Sequence, residues 1–183
     1  MKEPISTFTN LFYFIVAILL FPTLVYSPVG IVLLLSLIGL TITSGWYHWT
    51  KTEKSNDWDV RFMYITFNSI ISYYLYTLTG LFFAPLMFVI VLTAWMWYHR
   101  SEYDSTYTIA WQLVLIMTLA MSVGQSLWFI PILGLGYLCN IPFLGRYQYH
   151  KGWKFVWVDL LHGFWHLFTA IGIYLMVYNS LGF

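Results

Sequence analysis

Two histidine motifs and one aspartate carry side chains that could do chemistry. Ser44 and His48 stand at positions i and i+4, as do His162 and His166, and Asp59 follows the first motif. Residues at this spacing share one face of an α-helix, so each pair would present its side chains to the same space. Two histidines one turn apart can bind one metal ion, as they do in helical zinc motifs. If both motifs meet, three imidazoles and a water would complete the usual coordination of a catalytic zinc ion.

Each motif also has a purely structural interpretation. The first could belong to an interfacial belt of aromatic residues, with its serine bonded to its own helix backbone. The second could be a pair of imidazoles that form hydrogen bonds to neighbouring helices, with Asp159 close by. Asp59 could begin a helix, or form an ion pair with Arg61. The metal-site interpretation gains weight only if the helices bring these residues to one place.

The composition is that of a membrane protein. Hydrophobic residues make up 60% of the 183 positions and charged residues 8%, whereas a soluble domain carries about 25% charged residues. A soluble globular domain of this length could not bury so much apolar surface. The net charge of +1 offers no electrostatic surface for nucleic acid. The only cysteine, Cys139, excludes a disulfide framework and a thiolate zinc cluster.

The apolar stretches predict seven membrane-spanning helices. A hydrocarbon core about 30 Å thick requires about 20 apolar residues at 1.5 Å per residue. Polar or turn-forming residues separate the runs, among them a predicted loop over Lys51–Asp57. The chain is therefore expected to be all-α, with a single seven-helix transmembrane domain over residues 1–183. The expected spans are Phe8–Tyr26, Val29–Thr50, Trp58–Leu78, Gly80–His99, Tyr107–Gly124, Ser126–Leu144 and Trp153–Tyr178.

The basic residues predict how this bundle is oriented. Lysines and arginines concentrate in cytoplasmic loops, and threading seven helices places all eight of them at or beside one side. The N-terminus is therefore expected in the cytoplasm and the C-terminus on the opposite side. All five histidines fall toward the cytoplasmic leaflet in this arrangement, which puts the zinc site there. The basic residues are Lys2, Lys51, Lys54, Arg61, Arg100, Arg146, Lys151 and Lys154.

The order of these motifs resembles the CREST superfamily of seven-helix membrane proteins. This group joins alkaline ceramidases, adiponectin and progestin receptors, hemolysin-III-like proteins and related lipid-remodelling proteins. The serine–histidine motif, the step to Asp59 and the final histidine pair fit the ceramidase spacing, and Met63 stands where ceramidase-like sequences tend to have methionine. Alkaline ceramidases also have an acidic calcium-binding segment at the N-terminus. Because Met1–Asn10 contains one acidic residue, Glu3, calcium binding is not carried over.

The resemblance implies a zinc-dependent hydrolase that acts on a membrane lipid. His48, His162 and His166 would bind zinc, which lowers the pKa of a bound water. Asp59 would orient or deprotonate that water and pass its proton to the leaving group. Ser44 would hydrogen-bond the oxyanion or the substrate carbonyl. The expected substrate is a lipid amide such as a ceramide, and an ester remains open.

Two other interpretations stay open at this stage. The chain could be a non-enzymatic seven-helix receptor or structural protein in which zinc only stabilises the fold. It could also bind haem between His48 and one of the other two histidines. A retinal protein is excluded, since it needs a lysine deep in the last helix and only Lys154 is near, at the boundary.

Overall fold

The computed structural model describes residues 3–99, 105–125, 127–144 and 155–179, and these ranges contain only helices and short connections. The prediction of an all-helical chain is confirmed for them. The helices are α1 (Pro4–Thr9), α2 (Leu11–Leu24), α3 (Pro28–Thr50), α4 (Glu53–Thr79), α5 (Phe83–Tyr98), α6 (Ser105–Ser122), α7 (Phe129–Leu144) and α8 (Phe155–Asn179).

The first two helices form one nearly continuous apolar unit. Asn10, which joins them, has helical backbone angles (φ −60°, ψ −22°). The unit begins at Pro4, earlier than the predicted Phe8, because proline is well suited to the first position of a helix. The eight helices within the described ranges therefore make seven units, as many as the apolar runs of the sequence.

The junction between α3 and α4 is much shorter than predicted. Lys51 ends α3 in the left-handed conformation, with φ 54°, and Thr52 caps α4 through a reciprocal arrangement with Ser55. The polar stretch that the sequence predicts to be a loop is thus mostly the first turn of α4. The helix can begin there because a capping box satisfies the exposed amides of this turn. Asp59 lies in the second turn of α4, so the interpretation of this residue as a helix start is wrong.

Three helical stretches are long and apolar enough to cross a membrane: Pro4–Leu24, Pro28–Thr50 and Val156–Tyr178. Large hydrophobic side chains cover the outside of these stretches, and Ile18 and Leu35 are more than half exposed. Such an exterior is unfavourable in water and favourable in lipid. The structure is therefore compatible with a membrane protein.

The helices line a cavity. α2 lies between α3 and α8, α4 packs against α3, α5 and α6, and α7 packs against α8. Buried aliphatic and aromatic side chains from α2, α3, α4 and α8 form most of the core. This arrangement brings the C-terminal end of α3, the N-terminal part of α4 and the first half of α8 together, and these segments contain the sequence motifs.

Most of the basic residues that predict the orientation lie outside the described ranges. Lys51, Lys54 and Arg61 are described and lie around the α3–α4 junction. His150 and five of the eight basic residues, Lys2, Arg100, Arg146, Lys151 and Lys154, are outside.

Candidate metal centre

Three buried histidines from α3 and α8 converge on one point. His48, His162 and His166 are each no more than 5% exposed, and one nitrogen of each ring lies within 4.8 Å of the others. The Nε2 atoms of His48 and His162 are 3.2 Å apart. Two nitrogens bound to one zinc ion at about 2.0 Å in tetrahedral geometry would be about 3.3 Å apart. The three side chains are thus close enough to bind a metal ion.

A different oxygen atom holds the Nδ1 atom of each ring. His48 Nδ1 lies 2.6 Å from Glu3 Oε2, and His162 Nδ1 lies 2.7 Å from Asn140 Oδ1. His166 Nδ1 lies 3.0 Å from the Thr9 hydroxyl. Histidine ligands of metals commonly have their second nitrogen held in this way, which fixes both the tautomer and the ring orientation.

These contacts favour one position for two of the ring protons. A carboxylate and an amide oxygen only accept hydrogen bonds, which favours protons on Nδ1 of His48 and His162, while the Lys51 ammonium also lies 3.2 Å from His48 Nδ1. In that tautomer the two Nε2 atoms direct lone pairs at each other across 3.2 Å. Two lone pairs at that distance repel unless a cation lies beside both, and metal binding removes this repulsion. The donor set therefore fits a metal ion that prefers imidazole, with zinc among the candidates.

Glu3 also connects the centre to the end of α3. Its Oε2 atom contacts the Lys51 ammonium as well as His48, and the Glu3 amide donates to the His48 carbonyl oxygen at 3.2 Å. Burial lowers the pKa of Lys51 below its usual value, while the Glu3 carboxylate opposes that shift. One carboxylate thus positions an imidazole and neutralises the nearest cation.

Asp159 attaches the N-terminal helix to α8. Its carboxylate accepts hydrogen bonds from the Ile5 amide at 2.9 Å and the Ser6 amide at 2.8 Å, and from the Ser6 hydroxyl. These amides belong to the first turn of α1, which has no partners within its own helix. Asp159 therefore caps α1 from another helix, and this contact holds Glu3 and Thr9 over the histidines.

The histidines of α8 lie at the wall of a cavity of about 480 Å³. Ser44 and Asp59 line the same cavity, both buried, and the Ser44 hydroxyl interacts with the Asp59 carboxyl group. Most of the remaining wall is apolar and comes from α4, α6, α7 and α8. All five residues selected from the sequence therefore lie at or beside one buried space.

Asp59 has unused hydrogen-bonding capacity. Its Oδ1 atom is buried without a hydrogen-bond partner. The proposed pairing with Arg61 is absent, because the Arg61 guanidinium binds Asp57 instead, with Nε 2.7 Å from Oδ2. A buried carboxylate oxygen without a partner is costly in a protein that only folds, and it is common where a ligand or water binds.

The ring spacing does not suit haem. The ring centroid of His48 lies 4.7 Å from that of His162 and 5.0 Å from that of His166. Axial ligands stand on opposite sides of a porphyrin, and these rings leave no room for a macrocycle between them.

The sequence does not predict that Glu3, Thr9 and Asn140 orient the histidines. No local pattern connects them to the histidines, since the contacts join residues between 22 and 157 positions apart. A signal for Glu3 did exist: an acidic residue beside a long apolar helix needs a partner. Asn140 interrupts an apolar run in the same way.

Comparison with protein-family models, curated proteins and solved structures gives no match to this chain.

Proposed function

We propose that this protein is a zinc-dependent intramembrane hydrolase that cleaves a lipid amide. The observation that supports it best is the convergence of three imidazoles from two helices, each held through Nδ1, beside an apolar cavity. Structural zinc sites usually have four protein ligands, whereas catalytic sites have three and keep one position open. Within the described ranges, the cluster offers three.

His48, His162 and His166 would hold the metal. When bound, zinc polarises a carbonyl group and makes water acidic enough to be a nucleophile at neutral pH. Asp59, with an unpartnered oxygen in the cavity, would accept the proton of the attacking water and pass it to the leaving nitrogen. The Ser44 hydroxyl would donate a hydrogen bond to the substrate carbonyl oxygen.

The cavity supports a lipid as the substrate. Its volume of about 480 Å³ lies within the range typical of ligand sites, about 300–1,000 Å³. Aliphatic and aromatic side chains such as Leu113, Met117 and Phe129 line the part contributed by α6 and α7. An acyl chain would fill such a space, with its carbonyl group at the polar end beside Asp59.

We further propose that all seven helical units cross the bilayer, with the N-terminus in the cytoplasm. The seven units and the one-sided distribution of basic residues support this topology together, since removing one crossing would scatter those residues over both sides. The metal centre would then lie in the cytoplasmic leaflet.

Metal analysis of detergent-purified protein tests the centre. We expect nearly one zinc per chain, measured by mass spectrometry of the elements, and loss of zinc in the His162→Ala/His166→Ala double variant. His99→Ala is the control, because His99 lies outside the cluster and should keep the metal. Well-folded parent protein without metal would contradict the proposal.

Asp59→Asn separates the enzyme from a structural zinc protein. This variant removes the base and keeps the size of the side chain, so zinc content and thermal stability should stay near those of the parent. Amide hydrolysis should fall about 10²–10⁴-fold. Asp57→Asn, which changes the carboxylate paired with Arg61, should retain activity. If the zinc-loaded parent releases no fatty acid from a panel of lipid amides and esters, the receptor or structural role is the better account.

A further inference from the structure

Arg61 of α4 is a cation held mostly inside the protein. It lies in the third turn of the helix, and its side chain is 16% exposed. The guanidinium lies over the Trp97 ring of α5, with Cζ 3.8 Å from the ring centroid. Its Nε atom donates a hydrogen bond to Asp57 Oδ2 at 2.7 Å. The indole and the carboxylate therefore fix the plane of the guanidinium.

This guanidinium has hydrogen-bonding capacity that the described part of the chain leaves unused. A guanidinium carries five N–H donors, and the Asp57 carboxylate accepts through Nε. The Nη1 atom of Arg61 is buried and has no acceptor. A buried donor of a charged group that loses its hydration without a partner costs more free energy than a neutral donor. The arrangement is therefore complete only when an acceptor, best an anion, lies against Nη1.

The surface around Arg61 combines cations with indole rings. Lys54, Trp58 and Arg61 stand at positions i, i+4 and i+7 and share one face of α4. The Trp58 ring packs edge-on against Trp97, with centroids 5.3 Å apart and an angle of 79° between the rings. Lys54 is exposed and Trp97 is 37% exposed, so both reach the outside of the protein. These four side chains form one surface, the Arg61 patch.

In the proposed topology, the Arg61 patch lies near the level of the lipid headgroups. The 27 residues of α4 are about 40 Å long at 1.5 Å per residue, which exceeds a hydrocarbon core of about 30 Å. The first turns of α4 therefore extend toward the headgroups, a boundary where tryptophan is common. Toward the middle of the bilayer, Ile90 and Ala94 share the face of Trp97 on α5 and are exposed. A lipid with its headgroup at Arg61 would have its acyl chains along this apolar face.

We propose that the Arg61 patch binds the phosphate group of an anionic glycerophospholipid. Guanidinium groups form short, strong hydrogen bonds to phosphate oxygens, so the phosphate would provide the acceptor that Nη1 lacks. The Lys54 ammonium favours a lipid with net negative charge over one whose headgroup also carries a cation. The site is separate from the metal centre, since none of the four residues of the patch lines the cavity. The inference therefore rests on the proposed topology and not on the hydrolase function.

Lipid titration of the detergent-purified protein tests the patch. Native mass spectrometry counts the lipids bound per chain, and the melting temperature reports the gain in stability. The probes are phosphatidylglycerol, phosphatidylcholine and diacylglycerol with the same acyl chains, and glycerol 3-phosphate as a phosphate without chains. The parent should bind phosphatidylglycerol about tenfold more tightly than diacylglycerol, because only the first gives Arg61 a charged acceptor. Phosphatidylcholine should bind more weakly than phosphatidylglycerol, and glycerol 3-phosphate should leave the melting temperature unchanged.

Three variants assign the binding to the patch. Arg61→Gln should weaken phosphatidylglycerol binding about tenfold, the effect of losing hydrogen bonds to a charged group. Lys54→Gln, at an exposed position, should weaken it up to about fivefold. Asp57→Asn is the matched control, because it removes a charge of opposite sign from the same surface and should leave binding equal or tighter. Zinc content should be the same in all three variants, since none of these residues belongs to the metal cluster.

Several results would overturn the proposal. Binding like that of the parent in both Arg61→Gln and Lys54→Gln would show that the patch is not the site. Equal binding of phosphatidylglycerol and either other lipid would show that an anionic phosphate is not recognised, and equal binding of glycerol 3-phosphate would show that the acyl chains are not needed. If Arg61→Gln does not fold, Arg61→Lys replaces it, because lysine keeps the charge and lacks the planar donor group. That variant should also bind phosphatidylglycerol more weakly than the parent.

Discussion

At the scale of single residues, the centre depends on side chains that would never touch the metal. Glu3, Thr9 and Asn140 each hold one imidazole by its Nδ1 atom. A histidine ring in a cavity wall can rotate or take the other tautomer, and either change would remove a lone pair from the point where a metal ion would bind. A carboxylate, a hydroxyl and an amide oxygen therefore fix the orientation of the three rings, so that all three face the same point.

Glu3→Ala should weaken zinc binding by about 10–100-fold, the usual cost of losing such a partner. The His48 ring would lose its acceptor, and Lys51 would lose the carboxylate that neutralises it. Competition with a fluorescent zinc chelator measures the affinity. Glu53→Ala is the control, because Glu53 is an exposed acidic residue at the start of α4. Equal affinities in the two variants would show that Glu3 has no role at the centre.

The sequence could predict the histidines but not the residues that orient them. Helical spacing places His162 and His166 on one face whatever the rest of the fold does, and the helix count brings His48 to the same end of the molecule. The contact between Glu3 and His48 instead depends on where α1 packs, which no periodicity encodes. The same limit explains why Asp159 is recognisable in the sequence only as a charge near the histidines.

At the scale of helices, α1 is held on α8 by one carboxylate and one glycine. Asp159 binds the first-turn amides of α1, and Gly163 lets the two helices approach closely. A methyl group at position 163 would lie 2.9 Å from Ile5 Cγ2 and 3.3 Å from Thr9 Cγ2. The glycine within the second histidine motif thus has a packing role, since Thr9 is also the partner of His166.

Gly163→Ala should therefore lower both thermal stability and zinc affinity, by displacing Thr9 from His166. Gly45→Ala makes the matched comparison within the first motif, because a methyl group there meets nothing within 4 Å. That change should be neutral or stabilising by up to about 1 kcal/mol, the difference in helix propensity between the two residues. Melting temperature in detergent and chelator competition report the two effects. Indistinguishable variants would mean that α1 tolerates displacement from α8.

At the α3–α4 junction, composition alone predicts the wrong helix boundary. A run of polar residues is typical of a loop, yet Thr52 and Ser55 form a capping box and the helix starts at once. The boundary depends on a few hydrogen bonds rather than on hydrophobicity. This short junction also fixes the register between His48 and Asp59, which lie on opposite sides of it.

At the scale of the whole molecule, the apolar exterior contrasts with a cluster of buried polar groups beside one cavity, and these are two different environments. The outside of the three long apolar helices is hydrophobic, whereas buried histidines, carboxylates and hydroxyls collect around one cavity. Hydropathy predicts the apolar exterior well, because that exterior depends only on composition. The polar cluster depends on which helices pack together, and the sequence indicates it only through polar residues within apolar runs.

Cysteine labelling tests the proposed topology. In a Cys139→Ser background, Lys54→Cys should react with a membrane-impermeant maleimide only after right-side-out vesicles are permeabilised. Leu81→Cys, at the exposed turn between α4 and α5, should react in sealed vesicles. These two positions stand at opposite ends of α4, so labelling of both from the same side would contradict a single crossing by that helix.

The centre joins residues that are far apart in the sequence, and this has a consequence for biogenesis. Glu3 and Thr9 precede His162 and His166 by more than 150 positions. A nascent chain that ends before α8 contains one of the three imidazoles, and its α1 has no Asp159 to cap it. The three-imidazole cluster can therefore assemble only after α8 has been synthesised, so a chain that stops before α8 lacks it.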